Sequence, residues 1–416
     1  MKILGHDKTS FGGFYNSTTM IQENSLLNRG ILDLGGIGIP QAAMSNNKTE
    51  ALERGTMSAL YFVASFLTPF IMLPFFNKKF LSSQNIIKDF TNNEKLIMEV
   101  PKKYLTKGTD YLFEGIRKTA DVIKNDKLRK VKVDPTQDFE NIIKRFAGRG
   151  DELHAKLVKT HEKVLMWDFL TTSWMWVSIP WLVTESSRLF TKRDDFSALH
   201  KMKAQEKFNE KKHKEDKLKH LGLTALLATL PGLITSKVVM KAVTSKSDNI
   251  IKKYANNFNY TQGKFMSKTI FALMWGLSDY PAALVSSRDK HERKDRSIRF
   301  GAMAVLYFAV DPLVNLALGK ASDKVLKTRL MDKRGIKDLR QISEMKDVPE
   351  HILKRTKNAA AGIYWTGILM ALAALGFGLP ALMNAMLRNT IKKENSVKSA
   401  ILNLPLDKKL FKDFGF

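Results

Sequence analysis

MSKTIFALMWGLSDYPAALVSSR, residues 266–288, is apolar enough to lie in a bilayer. It carries one carboxylate, Asp279, and one proline, Pro281, and it leaves through Ser286-Ser287-Arg288. The same succession of apolar run, internal proline and basic exit recurs along the chain. The expected fold class is therefore all-α, a polytopic helical membrane protein. It would have about six proline-containing apolar helices, a possible internal repeat, and basic amphipathic linker helices.

Residues 55–76, GTMSALYFVASFLTPFIMLPFF, run 22 positions without a charge, enough to cross the hydrocarbon as a helix. Further runs cover 164–187, 221–240, 268–287, 300–319 and 358–387. The second contains Asp168, Pro180 and four tryptophans, and the last is charge-free over 30 residues. Within the polar N-terminal part, 1–54, the stretch 31–44 (ILDLGGIGIPQAAM) is apolar but only 14 residues long. It reads as a re-entrant or interfacial segment. The first twenty residues show no long apolar core, so no signal peptide is expected.

Between the first two runs, residues 77–163 read as a basic, polar, helical insertion. Asp134-Pro135 has the form of a helix start, with Asp as cap and Pro in the first turn. Phe139, Ile142, Ile143 and Phe146 follow at a helical period. Residues 192–219, rich in Lys and Glu, read as a charged helix solvated on nearly all sides. Residues 320–357 read as a basic amphipathic linker and 388–416 as a basic tail.

Apolar residues make up 44% of the 416 positions, an ordinary share, but they are clumped between basic segments. Such clumping marks a chain that meets two solvents. The absence of cysteine excludes disulfides, thiolate metal sites and a cysteine nucleophile. The formal net charge is +27. Because the excess flanks the apolar runs, it points to the anionic headgroups of a lipid bilayer more than to nucleic acid. A plasma or inner membrane location is the corresponding expectation.

Neither a P-loop, a Gly-x-Ser-x-Gly nor a His-Glu-x-x-His occurs. His154 and His161 are seven apart with no third ligand near. No cofactor and no metal site is expected, and the reading leans away from an enzyme.

Four segments resemble one another: IGIPQAAMSNNK, VSIPWLVTESSR, SDYPAALVSSR and FGLPALMNAMLR. Each places a proline (Pro40, Pro180, Pro281, Pro380) before a small or apolar stretch and a basic residue. We call this the outgoing type. Incoming segments begin at a basic residue and carry Pro69, Pro231 or Pro312, and Leu60-Tyr61-Phe62 matches Leu306-Tyr307-Phe308. Outgoing and incoming types alternate, as in an internal repeat. The ordinary composition of membrane helices, rich in proline and bounded by basic residues, gives a similar pattern.

Loops on both sides of such spans would be basic, against the asymmetry that the positive-inside rule expects. Either the prolines only kink the spans, or they turn some runs back as hairpins. Kinking is the preferred reading for most runs and re-entry for 31–44.

Three carboxylates lie inside apolar runs: Asp279, Asp311 and Asp168. An ionised carboxylate there must be paired, protonated or in a wet cavity. Asp279 and Asp311 stand beside prolines, where freed backbone carbonyls can join the carboxylate oxygens around a proton or cation. They are also expected to be neighbours in space. Capping of a broken helix is the structural alternative.

The functional expectation is a small-solute or ion transporter or channel. Asp279, Asp311 and Asp168 are its ion- or proton-coupling candidates, and Pro69, Pro180, Pro231, Pro281, Pro312 and Pro380 its helix kinks. Arg188, Arg288, Arg299 and Arg388 are expected to face lipid headgroups. The alternative is a non-catalytic membrane scaffold whose basic loops bind anionic lipid or protein partners.

Overall fold

The computed structural model describes residues 14–23, 27–28, 30–87, 93–105, 108–125, 134–202, 210–245, 252, 255–256, 260–261, 265–266, 268–331, 345 and 348–402. Apart from a two-residue antiparallel pair, Tyr260–Thr261 with Phe265–Met266, the regular structure is helical. The parts of the 320–357 linker and of the basic tail at 332–344, 346–347 and 403–416 lie outside the described residues.

Among the described residues, ten helices frame the chain. They are α1 (Phe14–Glu23), α2 (Gly30–Gly38 running into Ile39–Ala43) and α3 (Lys48–Ser83), then α4 (Thr109–Asn125), α5 (Pro135–Arg145), α6 (Gly150–Thr191) and α7 (Glu210–Thr244). The last three are α8 (Lys268–Met274, Trp275–Asp279, Tyr280–Val285), α9 (Lys290–Val325) and α10 (Glu350–Ala371, Leu372–Gly378, Leu379–Leu402).

Among the described residues, four helices are long and apolar enough to cross a membrane: Lys48–Ser83, His213–Thr244, Lys290–Val325 and Glu350–Val397. That is fewer than the about six expected from sequence. The runs at 164–187 and 268–287 are helical, but Asp168 and several Thr, Ser and Trp residues dilute the first, and Ser278-Asp279-Tyr280-Pro281 the second. They lie in α6 and α8: α6 packs against α3 and α7, and α8 against α6 and α7, with a hydrogen bond from α3. Large apolar side chains are exposed on several helices, for example Val63, Phe70 and Phe75 on α3, Leu226, Leu230 and Ile234 on α7, and Trp167, Trp174 and Leu182 on α6. On α9, only Leu306 and Gly319 are buried between residues 301 and 320.

Proline shapes these helices in one recurrent way. It lacks an N–H and its ring clashes with the carbonyl four residues earlier. A π turn, with one extra residue, moves that carbonyl aside. The π segments end at Gly38, Met72, Asp279, Val310 and Gly378. Each ends two residues before a proline: Pro40, Pro74, Pro281, Pro312 and Pro380. Pro69 lies within the π turn Thr68–Met72, whereas Pro180 and Pro231 sit inside uninterrupted α-helix. All of these prolines are accommodated within continuing helix.

The described part of the insertion at 77–163 is largely helical, and its core is continuous with that of the bundle. Asp134 caps α5, accepting from the Thr136 N–H, with Pro135 in the first turn. Ile97, Leu105, Leu112, Ile116, Phe139, Ile142 and Phe146 are buried together with Leu153 and Leu157 from the first third of α6. The long helix α6 therefore belongs to both the insertion and the bundle. The segment 192–219 is not one charged helix. It begins as a loop after α6 with a short 3-10 turn at Ser197–Leu199, and α7 starts at Glu210. Arg193 and Asp195 pair at 2.7 Å within that loop, and the buried Phe196 and Leu199, packed with Ile391, hold it against the bundle instead of in solvent.

Close approach of backbones fixes the α2–α10 pair. A Cβ at Gly376 would lie 2.5 Å from the Gly36 carbonyl oxygen. The Gln41 amide donates to the Leu375 carbonyl at 3.0 Å in the same contact.

Candidate functional site

Asp279 ends the π turn of α8, which rotates Ser278 and Asp279 inward. The residue is 1% exposed. The Tyr61 hydroxyl, from the Leu-Tyr-Phe of α3, donates to its Oδ1 at 2.7 Å. Asp279 Oδ2 and the adjacent Ser278 Oγ are buried with no hydrogen-bond partner among the described residues. Trp176 of α6 packs edge-on to the Tyr61 ring at 5.9 Å. A carboxylate oxygen and a hydroxyl thus face an apolar interior with open valences, an arrangement suited to a proton or a small cation.

A second aspartate stands in a related setting. The Tyr307 hydroxyl, from the second Leu-Tyr-Phe, on α9, donates to Asp33 Oδ1 of α2 at 3.5 Å. Each Leu-Tyr-Phe helix thus reaches an aspartate on the proline-bearing helix that precedes the other. Asp33 was not a candidate from sequence, and the matching Leu-Tyr-Phe was the signal that could have found it.

Asp311 is half-buried and its Oδ1 lies against Gly367 of α10, 3.3 Å from where a Cβ would stand. It is not beside Asp279. Asp279 lies about 14 Å along α8 from the α8–α9 loop and Asp311 about 33 Å along α9 from it, at 1.5 Å per residue. The tight pairing of the two helices does not bring the two carboxylates to one depth.

Asp168 is fully buried on α6 and faces Lys102, itself 2% exposed, on the 3-10 turn Lys102–Leu105. Burial pulls the Lys102 ammonium down to about 8, against the upward pull of Asp168. Seven residues earlier on α6, burial and then the Lys102 charge hold His161 well below its ordinary value. This cluster joins the insertion to α6.

At the end where α3 and α9 begin, a layer of ion pairs closes the bundle. Arg288 reaches Glu53 at 2.8 Å and Glu292 at 2.9 Å, and Arg296 reaches Glu292 at 2.8 Å. Ser187, Ser197, Thr184 and the Ala283 carbonyl complete the donors' and acceptors' needs. Buried charges demand such pairing.

Two helix starts in this layer are built alike. The Asn46 N–H donates to Glu50 Oε2 and the Arg288 N–H to Glu292 Oε2, each four residues on. Asn47 and Asp289 are the caps. Glu50 pairs with Arg54, and Glu292 with Arg296. Arg54 then donates to the Gln41 carbonyl and Arg296 to the Ala283 carbonyl, both thirteen residues back.

Of the arginines expected to face lipid, the structure places three inside protein. Arg188 meets Asp194 at 3.0 Å, the Arg288 side chain is wholly buried, and Arg299 meets Asp295 at 2.7 Å. Only Arg388 is exposed, near Asn46 at 3.4 Å. Among the described residues, no group of three or more His, Asp or Glu is placed to hold a metal ion. No family model, no curated protein and no solved structure matches this chain.

Proposed function

We propose that the chain is an integral membrane protein that moves a small solute or ion, with Asp279 as the carboxylate that takes up a proton or cation. The observation that carries this reading is the buried, unpartnered Asp279 Oδ2 beside the unpartnered Ser278 Oγ. Leaving such oxygens bare in an apolar interior is costly, and a proton or Na⁺ removes that cost. Tyr61 orients the carboxylate, and the π turn before Pro281 supplies backbone oxygens that the proline cannot satisfy. Asp311 and Asp33 are further intramembrane carboxylates on the same kind of kinked helix.

An internal repeat is part of this proposal. It is supported by the matched helix starts at Asn47 and Asp289 and by the exchanged Tyr61–Asp279 and Tyr307–Asp33 contacts. Paired broken helices of this kind are a usual way to build a binding site at the bilayer midplane.

The test needs no knowledge of the solute. Thermal unfolding of the detergent-purified chain is compared in sodium chloride and in choline chloride, across pH. Binding to the native state raises Tm. Wild type should respond to Na⁺ or to protons, and Asp279→Asn should lose that response. Equal responses in both proteins would remove the coupling role.

A membrane scaffold that binds anionic lipid is the second reading. It is favoured by a group of exposed, unpaired cations at the loop end of the bundle.

A further inference from the structure

Those cations converge on one place. A shallow, wide-open cleft of about 510 Å³ lies between the loop before α3, the loop after α6 and the last turns of α10. Lys201, Arg388 and Lys392 line it, with Asn46 and Asn395 between them. Residues 388, 391, 392 and 395 repeat at helical spacing, so one face of α10 supplies most of the wall. Among the described residues, no carboxylate lines the cleft. Lys201 and Lys392 have no ion-pair partner among the described residues, and Arg388 bonds only the neutral Asn46. The nearby Glu394 points away, to Lys290 at 2.8 Å.

This contrasts with the rest of the same end of the bundle. There Arg54, Arg188, Arg288, Arg296 and Arg299 each meet a carboxylate. The buried arginines of this end are thus neutralised, whereas three exposed cations stand together in one shallow spot. Three cations and two amide side chains suit an oxyanion with several acceptor oxygens. The remaining lining residues, Met202 and Ile391, are apolar. They would accept the glycerol or upper acyl part of a lipid.

We propose that this cleft binds a phosphate group, carried by an anionic lipid headgroup or present as free phosphate. The inference rests on the scaffold reading only for its lipid source, since the site itself is read from the cleft.

The test uses the full chain in three forms: wild type, K201Q/R388Q/K392Q, and the charge-matched K320Q/K324Q/K354Q, whose lysines are exposed elsewhere. Each is reconstituted in nanodiscs of phosphatidylcholine with phosphatidylglycerol, extracted gently and weighed by native mass spectrometry. Wild type and the charge-matched control should retain phosphatidylglycerol over phosphatidylcholine. The cleft variant should retain at least about tenfold less, given the attraction of each juxtamembrane cation for anionic lipid.

In a second arm, inorganic phosphate is titrated into lipid-free detergent samples while Tm is followed. A rise in wild type that the cleft variant lacks, without retained phosphatidylglycerol, identifies free phosphate as the source. Equal phosphatidylglycerol retention by all three proteins overturns the cleft but leaves the scaffold reading standing. Loss of selectivity in wild type, with no phosphate response, overturns both. A preference for a short single-stranded oligonucleotide over both phosphate probes would also overturn the proposal.

Discussion

The Tyr61 hydroxyl and Asp279 Oδ1 are 2.7 Å apart, a contact between residues 218 positions apart in sequence. It ties α3 to the buried π turn of α8 and leaves the other carboxylate oxygen without a hydrogen-bond partner among the described residues. Tyr61→Phe removes the donor and should cost about 1–3 kcal/mol, the penalty of an unsatisfied buried polar group. Asp279→Asn, which removes a buried charge but keeps an acceptor for Tyr61, should unfold no earlier than wild type. Paired melting curves without added Na⁺ check the order.

Arg288 holds Glu53 and Glu292 at once, with its side chain fully buried. Arg288→Ala strands two carboxylates and should destabilise by about 3–5 kcal/mol. Arg288→Lys keeps the charge but not the fork that reaches both partners, so it should recover only part of the loss. Thermal or denaturant unfolding in detergent reads both, and full recovery by lysine would contradict the bidentate role.

Lys102 and His161 make stability depend on pH in two windows. The unfolded lysine keeps its proton to about pH 10.4, whereas the folded one releases it near 8. The unfolded state then binds more protons, so stability rises between these values. Lys102→Met should abolish that rise. His161 is held below its ordinary value, so stability falls as pH drops below about 6.5. His161→Phe should flatten this lower limb. The comparison is of slopes, because Lys102→Met also deprives Asp168 of its partner.

Gly376→Leu should separate α2 from α10. Its Cβ alone would meet the Gly36 carbonyl at 2.5 Å, and backbone cannot yield as a side-chain tip can. Overpacking of this kind costs about 1–3 kcal/mol. A cysteine pair at Gln41 and Leu375, where the helices touch, should crosslink readily in the parent chain and poorly once Gly376→Leu is added.

The helix α9 decides between a spanning and a returning chain. Residues 294 and 320 are separated by about 39 Å at 1.5 Å per residue, more than the roughly 30 Å hydrocarbon core. Lys294→Cys and Lys320→Cys, each the sole cysteine in the chain, should react with a membrane-impermeant thiol reagent from opposite sides. Labelling of both from one side would remove the span.

The helical class and the positions of the apolar runs were legible because burial in lipid and burial in protein both demand long uncharged stretches. The same fact hid the difference between the two. The apolar runs of α6 and α8 differ from those of α3, α7, α9 and α10 only by a few polar residues, a dilution that a search for apolar runs passes over. Asp279 stood out through its charge in an apolar setting. Its partner Tyr61 did not, since a tyrosine in such a run is unremarkable until the contact is seen. Arg288 was misplaced outward for a related reason. A basic residue ending an apolar run ordinarily marks a lipid boundary, and the carboxylates that bury this one, Glu53 and Glu292, come from other helix starts.

The π turn at Trp275–Asp279 contains one residue more than an α-helix needs. Letting that surplus pass up or down α8 would turn the intervening part of the helix by about 100°, the angular step of one residue. Such a corkscrew swings the Asp279 carboxylate off Tyr61 without tilting any helix or opening the ion-pair layer below it. Five of the prolines follow such a surplus residue, so any rotation of this kind would be a change of helical phase and not of helix tilt.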